Sequence, residues 1–418
     1  MTESGLSFPR SDFAHISPLL HMIPIAKAIE LIDRNIHTLG AERVALADSV
    51  GRILAEDIVA DTDLPPFDRS QMDGYALIAR DTRKVPVDLH IAGESSAGNG
   101  WHETLKRGEA VRIMTGAPVP KGADTVQKIE LAKELNGCVS FIDRVSKGQF
   151  IVPKGSEIRA GEVALRAGEQ IRPEMIATLG AFGYAKVKVA KRPRVAIIPT
   201  GSEIVEIGKK PERDQIRDSN SVMLKVLCEQ AGAIATIHLT VGDKLGNLVT
   251  AIKNASKTAD IVVTTGGVSV GKYDLTKEAL SKIGAAILFD KVALKPGKPA
   301  VFATKSRKGF FGLPGNPVSA AVTFQLFVRR AIMLMQSASN VSVERGFAVL
   351  NSPIKGNRLR DSYIPARFAT AADGKLVAVP LPSVGSSDLV SFARAEALIV
   401  VPKGTTFSID DVVDVLFL

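Results

Sequence analysis

The sequence predicts a multidomain protein of the α/β plus β class, with a doubly wound α/β domain, an inserted β-rich domain and a small C-terminal β-barrel. Strand-like and helix-like segments alternate over residues 192–337, which is typical of a parallel sheet with helices on both faces. Short apolar runs separated by Gly and Pro fill residues 59–153 and return over residues 338–418. The length of 418 residues suits about two to four domains.

A fourth predicted unit is split into two pieces, residues 20–58 and residues 154–191, which flank the β-rich domain. The first piece contains an amphipathic helix near residues 24–38, because Ile25 and Ile32 lie on one helical face. The second piece contains Ala-Gly and Gly-Glu turns followed by a helix opened by proline. The β-rich domain is therefore expected to be an insertion into this unit.

The α/β domain is predicted in most detail, because its apolar periodicity is clear. Its strands and helices should alternate along the chain, and a long helix should follow Pro317. The predicted strands are 194–198, 233–239, 261–264, 300–303 and 309–312, and the predicted helices are 219–230, 244–257 and 275–283.

Composition and charge exclude several classes of protein. Hydrophobic residues make up 45% of the chain and charged residues 23%, which excludes disordered and collagen-like proteins. The formal charge of +9 suits an anionic partner such as a phosphorylated metabolite, an oxyanion or nucleic acid. Aromatic residues are only 5%, which weighs against nucleic acid, because single-strand binders use aromatic side chains as stacking platforms.

Location and metal content are predicted from further features of the sequence. Cys138 and Cys228 lie far apart and match no metal or redox spacing, and the six histidines are scattered, so no zinc site is expected. The N-terminus lacks the apolar stretch of a signal peptide. No apolar run approaches 18 residues, since Arg329 and Arg330 interrupt the best candidate. These features predict a cytoplasmic protein that does not enter a membrane.

Polar and glycine-rich segments follow the predicted strands of the α/β domain. Ligands of open α/β sheets bind beyond the carboxyl ends of the strands, so these segments are expected to share one edge of the sheet. Five such segments are hard to explain as turns alone. They are residues 200–203, 242–243, 264–269, 295–299 and 312–317.

The residue types in these segments suit the binding of phosphate and Mg²⁺. Glycines such as Gly266 and Gly267 let backbone N–H groups approach an anion. Lysines supply positive charge to phosphate or another oxyanion, and carboxylates are the hard oxygen ligands that Mg²⁺ prefers. The charged candidates are Lys291, Lys295, Lys298, Glu203, Asp243 and Asp274.

Each member of this set also has a plainer interpretation. The Gly-Gly pair alone is more often a tight turn, and Asp243 or Asp274 alone could be a helix N-cap. Residues 68–76 and 112–118 of the β-rich domain could be solvent-facing turns. The joint occurrence favours a site. Residues 266–272 also imitate a nucleotide-binding P-loop, but Tyr273 stands where Ser or Thr must reach Mg²⁺, so that interpretation is rejected.

Seven segments together resemble the molybdopterin molybdenumtransferase family, which includes the E domain of gephyrin and the plant molybdenum-insertion protein. The resemblance runs from about residue 20 to the C-terminus. Several independent motifs in the expected order make it specific. They are PPFDRSQMDGYA (65–76), RIMTGAPVP (112–120), TGSEI (200–204), RDSNS (217–221), TTGGVSVGKYD (264–274), LKPGKP (294–299) and GLPGNPVSA (312–320).

The resemblance implies an activity and a set of partners. Members of the family are homodimers that take adenylylated molybdopterin and molybdate, cleave the adenylate with Mg²⁺, release AMP and insert molybdenum into the pterin dithiolene. A molybdopterin adenylyltransferase would act upstream, and a molybdoenzyme or a cofactor carrier would act downstream. Neither nucleic acid nor a membrane is an expected partner. Two alternatives stay open: a non-catalytic molybdopterin-binding or scaffold protein on this fold, and a tungstate-selective insertase.

The resemblance also implies roles for individual residues. Asp73 and Thr115 of the inserted domain would reach the pocket of the partner protomer, so that dimerisation completes the active site. Asp243 and Asp274 would be both catalytic and metal-binding, and Lys291 and Lys295 would be catalytic. The implied substrate-binding residues are Asp73, Thr115, Glu203, Gly266, Gly267, Ser269, Lys298, Pro314, Arg367 and Ser386.

The chain departs from the family pattern at several positions. Ser202 stands where Asp or Asn is common, and Arg69 stands where Asn is common and would place a cation beside the pocket. Residues 385–387 and 395–396 also differ from the common Gly-Ser-Gly and Ala-Asn. The C-terminal contacts are therefore the part of the implied site that most depends on the three-dimensional structure.

Overall fold

The computed structural model describes residues 22–267, 275–382 and 384–418. The described chain begins with helix α1 (Ile25–Asn35), which buries Ile25, Ala28 and Ile32 along one face. Three short strands follow: β1 (Ala41–Ala45), β2 (Ile58–Val59) and β3 (Arg69–Ser70).

The next part of the chain forms a six-stranded sheet with the order β7-β4-β6-β5-β9-β8. Leu77, Leu89 and Phe141 are fully or almost fully buried within this unit. The predicted inserted β-rich domain is thereby confirmed. Its strands are β4 (Gly74–Leu77), β5 (Val87–Ser95), β6 (Glu109–Ile113), β7 (Thr125–Lys128), β8 (Ala132–Leu135), β9 (Cys138–Phe141) and the short β10 (Ile151–Val152).

The chain then returns along the path by which it entered the inserted sheet. It forms β11 (Val163–Leu165), α2 (Pro173–Ala181) and β12 (Lys186–Ala190). Strand β10 pairs with β3, β11 with β2 and β12 with β1, all antiparallel. These pairs are nested, so the inserted sheet lies at the far end of a connection made of one outgoing and one returning segment of the chain.

The α/β part of the molecule is built on a second six-stranded sheet with the order β16-β13-β17-β21-β20-β18. Helices lie on both of its faces, as predicted. Its elements are β13 (Arg194–Pro199), β14 (Ile204–Val205), β15 (Ile216–Arg217), α3 (Ser219–Gln230), β16 (Ile234–Ile237), α4 (Leu245–Thr258), β17 (Ile261–Thr265), α5 (Leu275–Lys282), β18 (Ala286–Phe289), β19 (Leu294–Lys295), β20 (Val301–Lys305) and β21 (Lys308–Leu313).

The sheet is doubly wound but not wholly parallel. Strands β16, β13, β17 and β21 are parallel neighbours, whereas β20 runs antiparallel to β21 and to β18. Only Ser306 and Arg307 separate β20 from β21, and a parallel crossover needs a dozen or more residues. The sequence prediction missed β18 and treated this hairpin as two further parallel strands.

One face of the sheet is covered by α1, α3 and a long helix, and the other by α4 and α5. The long helix is continuous over α6 (Pro317–Thr323), a π-turn (Phe324–Val328) and α7 (Arg329–Met335). In the described part of the chain, this helix alone is long and apolar enough to cross a membrane. However, 78% of its apolar window is buried inside the protein, which is how a core helix behaves.

The C-terminal part is a closed five-stranded barrel, as predicted. Its strands follow the order β24-β25-β22-β28-β26, and β26 pairs with β24 to close it. Strand β19 of the α/β part joins β24 as a sixth strand. The elements are β22 (Arg345–Leu350), β23 (Ile354–Lys355), β24 (Asp361–Thr370), β25 (Leu376–Pro380), α8 (Leu389–Phe392), β26 (Ala397–Val401), β27 (Thr406–Phe407) and β28 (Val412–Phe417).

Candidate active site

The loops that follow β13, β17 and β21 lie at one edge of the α/β sheet, because these three strands are parallel neighbours. Between this edge and the barrel lies a cavity of about 770 Å³. The loop before β20 and residues of the barrel complete its walls. Its lining includes Glu203, Gly266, Gly267, Lys295, Lys298, Pro314, Asn316, Lys355, Arg360, Ser362, Tyr363 and Ser386.

The cavity carries an excess of positive charge. Four of its described lining residues are basic, namely Lys295, Lys298, Lys355 and Arg360, and Glu203 is the acidic one. None of the four basic side chains forms an ion pair with a residue that the structure describes. Their charge is therefore available to an anionic ligand.

Strand pairing brings the basic residues of two parts of the chain together. Strand β19 pairs with the beginning of β24, so that Lys295 lies opposite Ser362. Arg360 precedes β24 directly and therefore lies beside the Lys295 segment. The loop after Lys295 packs tightly, because a Cβ on Gly297 would lie 2.6 Å from Cγ2 of Thr323. Glycine at this position lets the lysine-bearing loop rest on α6.

A second cavity of about 610 Å³ adjoins the first and shares Glu203, Gly266 and Asn316 with it. Its walls are polar but not strongly basic. Asn220 at the start of α3 ties two of the edge loops together, because its amide nitrogen donates to Oγ1 of Thr265 at 3.0 Å and to the carbonyl of Gly315 at 2.6 Å. Asn220 belongs to the recognised RDSNS segment but was not predicted as a site residue.

The two glycines after β17 have structural reasons for being glycine. Gly266 and Gly267 have φ values of +92° and +65°, which other residues adopt at a cost. A Cβ on Gly266 would lie 2.4 Å from the Thr200 carbonyl. The Gly266 N–H donates to the Leu313 carbonyl at 3.1 Å, so it is already occupied. The expectation that both N–H groups face an anion is wrong for Gly266, and the tight-turn interpretation is partly right.

Several predicted residues lie elsewhere. Asp243 does not line the main cavity; it accepts hydrogen bonds from the backbone N–H and hydroxyl of Ser202. It is not the N-cap of α4, which is Lys244. Lys291 is half-buried before the lysine-bearing loop and does not line the cavity. The predictions for Ser269 and Asp274 lie outside the described residues.

Asp73 and Thr115 contact each other on the inserted sheet. Asp73 precedes β4 and Thr115 follows β6, and these antiparallel strands pair Gly74 with Ile113. The backbone N–H of Thr115, at 2.7 Å, and its hydroxyl, at 2.9 Å, both donate to Asp73 and hold the pKa of that carboxyl below its usual range. Neither residue lines the cavities described above.

The cation at position 69, expected beside the pocket, lines neither of the two cavities at the sheet edge. Arg69 forms an ion pair of 3.2 Å with Glu157, across the junction between the inserted sheet and the returning chain. Both side chains are largely exposed, so the pair contributes little to stability. The positive charge that this departure introduces is largely neutralised by its partner.

Arg367 is not part of the main cavity. It lies in β24 and lines a separate cleft on the barrel with Arg394 and Glu396. Arg360, seven residues earlier, is the arginine that reaches the cavity. Ser386 also lines the main cavity, and its hydroxyl accepts a hydrogen bond of 2.7 Å from the side-chain amide of Asn316. The family resemblance implied Arg367, and Arg360 was not among the predicted site residues.

Among the described residues, no group of three or more His, Cys, Asp or Glu could hold a metal ion. Such a group is not required for Mg²⁺, which often binds through one or two carboxylates together with substrate phosphates. Glu203 lies in the loop after β13. Asp243 lies in the loop after β16 and accepts a hydrogen bond from Ser202 of the first loop. This donor set fits Mg²⁺ held partly by a phosphorylated ligand.

The sheet, its glycine-rich edge and the basic cavity define an α/β protein with a site for an anionic ligand and an attached barrel. Three family models match the chain: the MoeA N-terminal region (domain I and II) over residues 23–183, a probable molybdopterin binding domain over 196–333, and the MoeA C-terminal region (domain IV) over 348–418.

Known proteins extend this similarity over nearly the whole chain. Molybdopterin molybdenumtransferases of Staphylococcus aureus (strain MRSA252) and Bacillus subtilis (strain 168) are each 37% identical, covering 94% and 92% of this chain and 95% and 91% of their own. A molybdopterin biosynthesis moeA protein from Pyrococcus horikoshii OT3 superposes with a TM-score of 0.82 at 31% identity, over 95% of this chain and 100% of that one. The chain belongs to the molybdopterin molybdenumtransferase family, whose members are transferases of molybdenum cofactor biosynthesis.

Proposed function

We propose that the protein is a Mg²⁺-dependent molybdenum insertase that takes adenylylated molybdopterin and molybdate, releases AMP and forms molybdenum cofactor. The observation that carries this proposal is the cavity between the sheet edge and the barrel, which four basic side chains line without an ion-pair partner among the described residues. A nucleotide-linked pterin and an oxyanion are both anionic, and a concave basic site attracts and orients such ligands.

Lys295, Lys298 and Arg360 are the residues that we assign to the anions. Lysine acts as a mobile point charge, whereas the guanidinium of Arg360 can donate two parallel hydrogen bonds to one oxyanion. Cleavage of the phosphoanhydride by water places growing negative charge on the phosphate oxygens, and fixed cations stabilise that charge. Lys291 would add positive potential from behind the lysine-bearing loop.

Glu203 and Asp243 are the described carboxylates that we assign to Mg²⁺, with Asp274 as the further ligand that the resemblance implies. When bound, Mg²⁺ would neutralise phosphate charge at the site. Ser269, Gly267 and Pro314 belong to the loops that would hold the pterin nucleotide. Gly266 contributes through the shape of its turn, because its N–H is occupied by Leu313.

A homodimer with a shared active site is the further part of the proposal. Asp73 and Thr115 lie on the inserted sheet and line neither cavity of their own chain. If they act in the reaction, as the resemblance implies, a second protomer is the simplest source of the residues that reach the cavity. Four units with the predicted boundaries, a cytoplasmic location, and transfer from an adenylyltransferase to a molybdoenzyme or carrier complete the proposal.

The test is AMP release from adenylylated molybdopterin at fixed Mg²⁺, with and without molybdate. We expect molybdate to stimulate AMP release and molybdenum to appear in the pterin fraction. Tungstate in place of molybdate distinguishes the tungstate-selective alternative. A folded protein that binds the pterin but releases no AMP would overturn the enzymatic proposal in favour of a binding or scaffold role.

A further inference from the structure

Ser202 and Asp243 lie on two loops that the sheet holds in register beyond its strands. Strands β13 and β16 are parallel neighbours, and the pairing continues after they end. Val241 donates its N–H to the Pro199 carbonyl at 2.9 Å, and Gly201 donates its N–H to the Val241 carbonyl at 3.1 Å. The relative position of the two side chains is therefore fixed by backbone bonds.

Both donors of Ser202 are directed to one oxygen of Asp243. The Ser202 N–H lies 3.2 Å from Oδ2, and the Ser202 hydroxyl donates to the same oxygen. Within the described residues, Oδ1 of Asp243 has no hydrogen-bond partner. Ser202 and Glu203 both line a further cavity of about 360 Å³. Ser202 therefore lies next to Glu203, the carboxylate that lines the main cavity.

We propose that Ser202 is a positioning residue that holds Oδ2 of Asp243 and leaves Oδ1 as the oxygen that binds the divalent cation. This inference rests on the proposed Mg²⁺-dependent function. An exposed carboxylate samples several rotamers, and ordering it costs side-chain entropy when a cation binds. The two hydrogen bonds from Ser202 to Oδ2 restrict the rotamers of Asp243 before the cation binds, and this lowers the entropic cost of binding.

The variants that test the inference are Ser202→Ala, which removes the hydroxyl donor, and Ser202→Thr, which keeps it. Ser256→Ala is the matched control, because the Ser256 hydroxyl bonds only the local Lys253 carbonyl on α4. The first readout is Mn²⁺ binding to each protein in the presence of AMP, measured by the electron paramagnetic resonance signal of free Mn²⁺. The second is the Mg²⁺ concentration that gives half-maximal AMP release.

We expect Ser202→Ala to weaken Mn²⁺ binding about tenfold, which corresponds to roughly 1.4 kcal/mol, the size of one hydrogen bond to a charged group. The Mg²⁺ requirement should rise by a similar factor, while AMP release at saturating Mg²⁺ stays near the wild-type rate. Ser202→Thr and Ser256→Ala should bind Mn²⁺ like the wild type.

Equal Mn²⁺ affinity in Ser202→Ala and the wild type would overturn the inference, and so would a failure of Ser202→Thr to retain binding. These outcomes are separate from the test of the proposed function. A wild-type protein whose Mn²⁺ binding depends on Ser202 but which never releases AMP would refute the insertase and keep the positioning role. A wild-type protein that binds no Mn²⁺ would refute both the positioning role of Ser202 and the Mg²⁺ dependence of the proposed function.

Discussion

The edge of the α/β sheet and the tip of the inserted sheet carry residues that the family resemblance assigns to one active site, but they are built differently. At the edge, parallel strands end side by side, so segments far apart in sequence meet at one cavity. On the inserted sheet, the Asp73 carboxylate and Thr115 contact each other across one pair of antiparallel strands. The first region forms the wall of a large cavity, whereas Asp73 and Thr115 line neither of the two cavities at the sheet edge.

The largest effect is expected from Lys295→Ala. The side chain is exposed and unpaired among the described residues, so its removal should leave the melting temperature almost unchanged. Loss of a cation aimed at the reacting phosphate should lower molybdate-stimulated AMP release by about a hundredfold or more. The rate of AMP release by the purified variant gives the result.

Lys257→Ala is the control for this variant, because Lys257 lies on α4 and bonds only Asn254. It should release AMP at the wild-type rate. Wild-type turnover by Lys295→Ala would show that the positive edge of the sheet is not the reaction site, and the contrast between the two regions would then lose its basis.

Mixing two inactive variants tests whether the second region works across a dimer. Asp73→Asn and Lys295→Ala should each be nearly inactive. If one protomer supplies the cavity and its partner supplies Asp73, half of the dimers in an equal, re-equilibrated mixture are mixed, and each mixed dimer has one intact site. We therefore expect about 25% of wild-type AMP release.

A site confined to one chain gives a different result in the same experiment. Every mixed dimer would then carry one defect in each site, and the mixture would remain inactive. Sedimentation shows that dimers have formed, and co-purification of one untagged variant with the other, tagged variant shows that they have exchanged. An inactive mixture of exchanged dimers would refute the shared site while leaving the basic cavity unaffected.

Arg360→Ala and Arg367→Ala form a matched pair on the barrel. Arg360 lines the basic cavity and Arg367 lines a separate cleft. Removal of Arg360 should raise the molybdate concentration for half-maximal AMP release about tenfold, because it removes a charge-assisted contact. Removal of Arg367 should leave that concentration unchanged. A larger effect of Arg367→Ala than of Arg360→Ala would support Arg367 as the site residue, as the resemblance implied.

The smallest effect concerns the ionisation of Asp73. The Thr115 N–H and hydroxyl lower its pKa from the ordinary 3.8. The stability that this contact contributes is therefore present above pH 3.8 and is lost as the pH falls through the lower, folded-state value. Thr115→Val removes the hydroxyl donor and should move the pKa of Asp73 upward. Carboxyl ¹³C resonances followed during an acid titration measure this shift.

Asp388 provides an internal reference in the same titration. Its pKa is lowered by the backbone N–H groups of Ser391 and Val384, which Thr115→Val does not alter. It should titrate identically in both proteins. An Asp73 resonance that also stays unchanged would mean that the Thr115 hydroxyl does not contact the carboxylate in solution.

Local patterns predicted a large part of the fold because they depend on short stretches of chain. Helix α3 has the predicted bounds Ser219–Gln230, since its apolar spacing and the Asp218 cap are encoded within a few residues. Polar loops at strand ends predicted the edge of the sheet, because parallel strands bring their carboxyl ends together. The strand β20 was predicted but its antiparallel direction was not, although the two residues that separate it from β21 are too few for a parallel crossover.

Family resemblance supplied the candidate residues, but contacts decided which of them come together. One cavity is lined by Lys295, Lys298, Glu203 and Ser386, whereas Lys291 and Asp243 do not line it. Gly266, which follows β17, was predicted to bind the anion. The fold itself requires a glycine there, because Thr200 leaves no room for a Cβ. Gly267→Val would also disturb the backbone without a ligand, because Gly267 has a φ of +65° and a Cβ there would lie 3.0 Å from Oγ1 of Thr200.

The sequence alone determined the order of the domains, the polarity of the sheet edge and the family, because periodicity, strand-end composition and motif order are all written along the chain. Only the tertiary structure decided that Arg360 rather than Arg367 faces the cavity. That choice depends on the register of β19 against β24, which pairs Lys295 with Ser362. Arg367 lies about 20 Å further along the same strand, and no local pattern specifies a register between segments that meet only after folding.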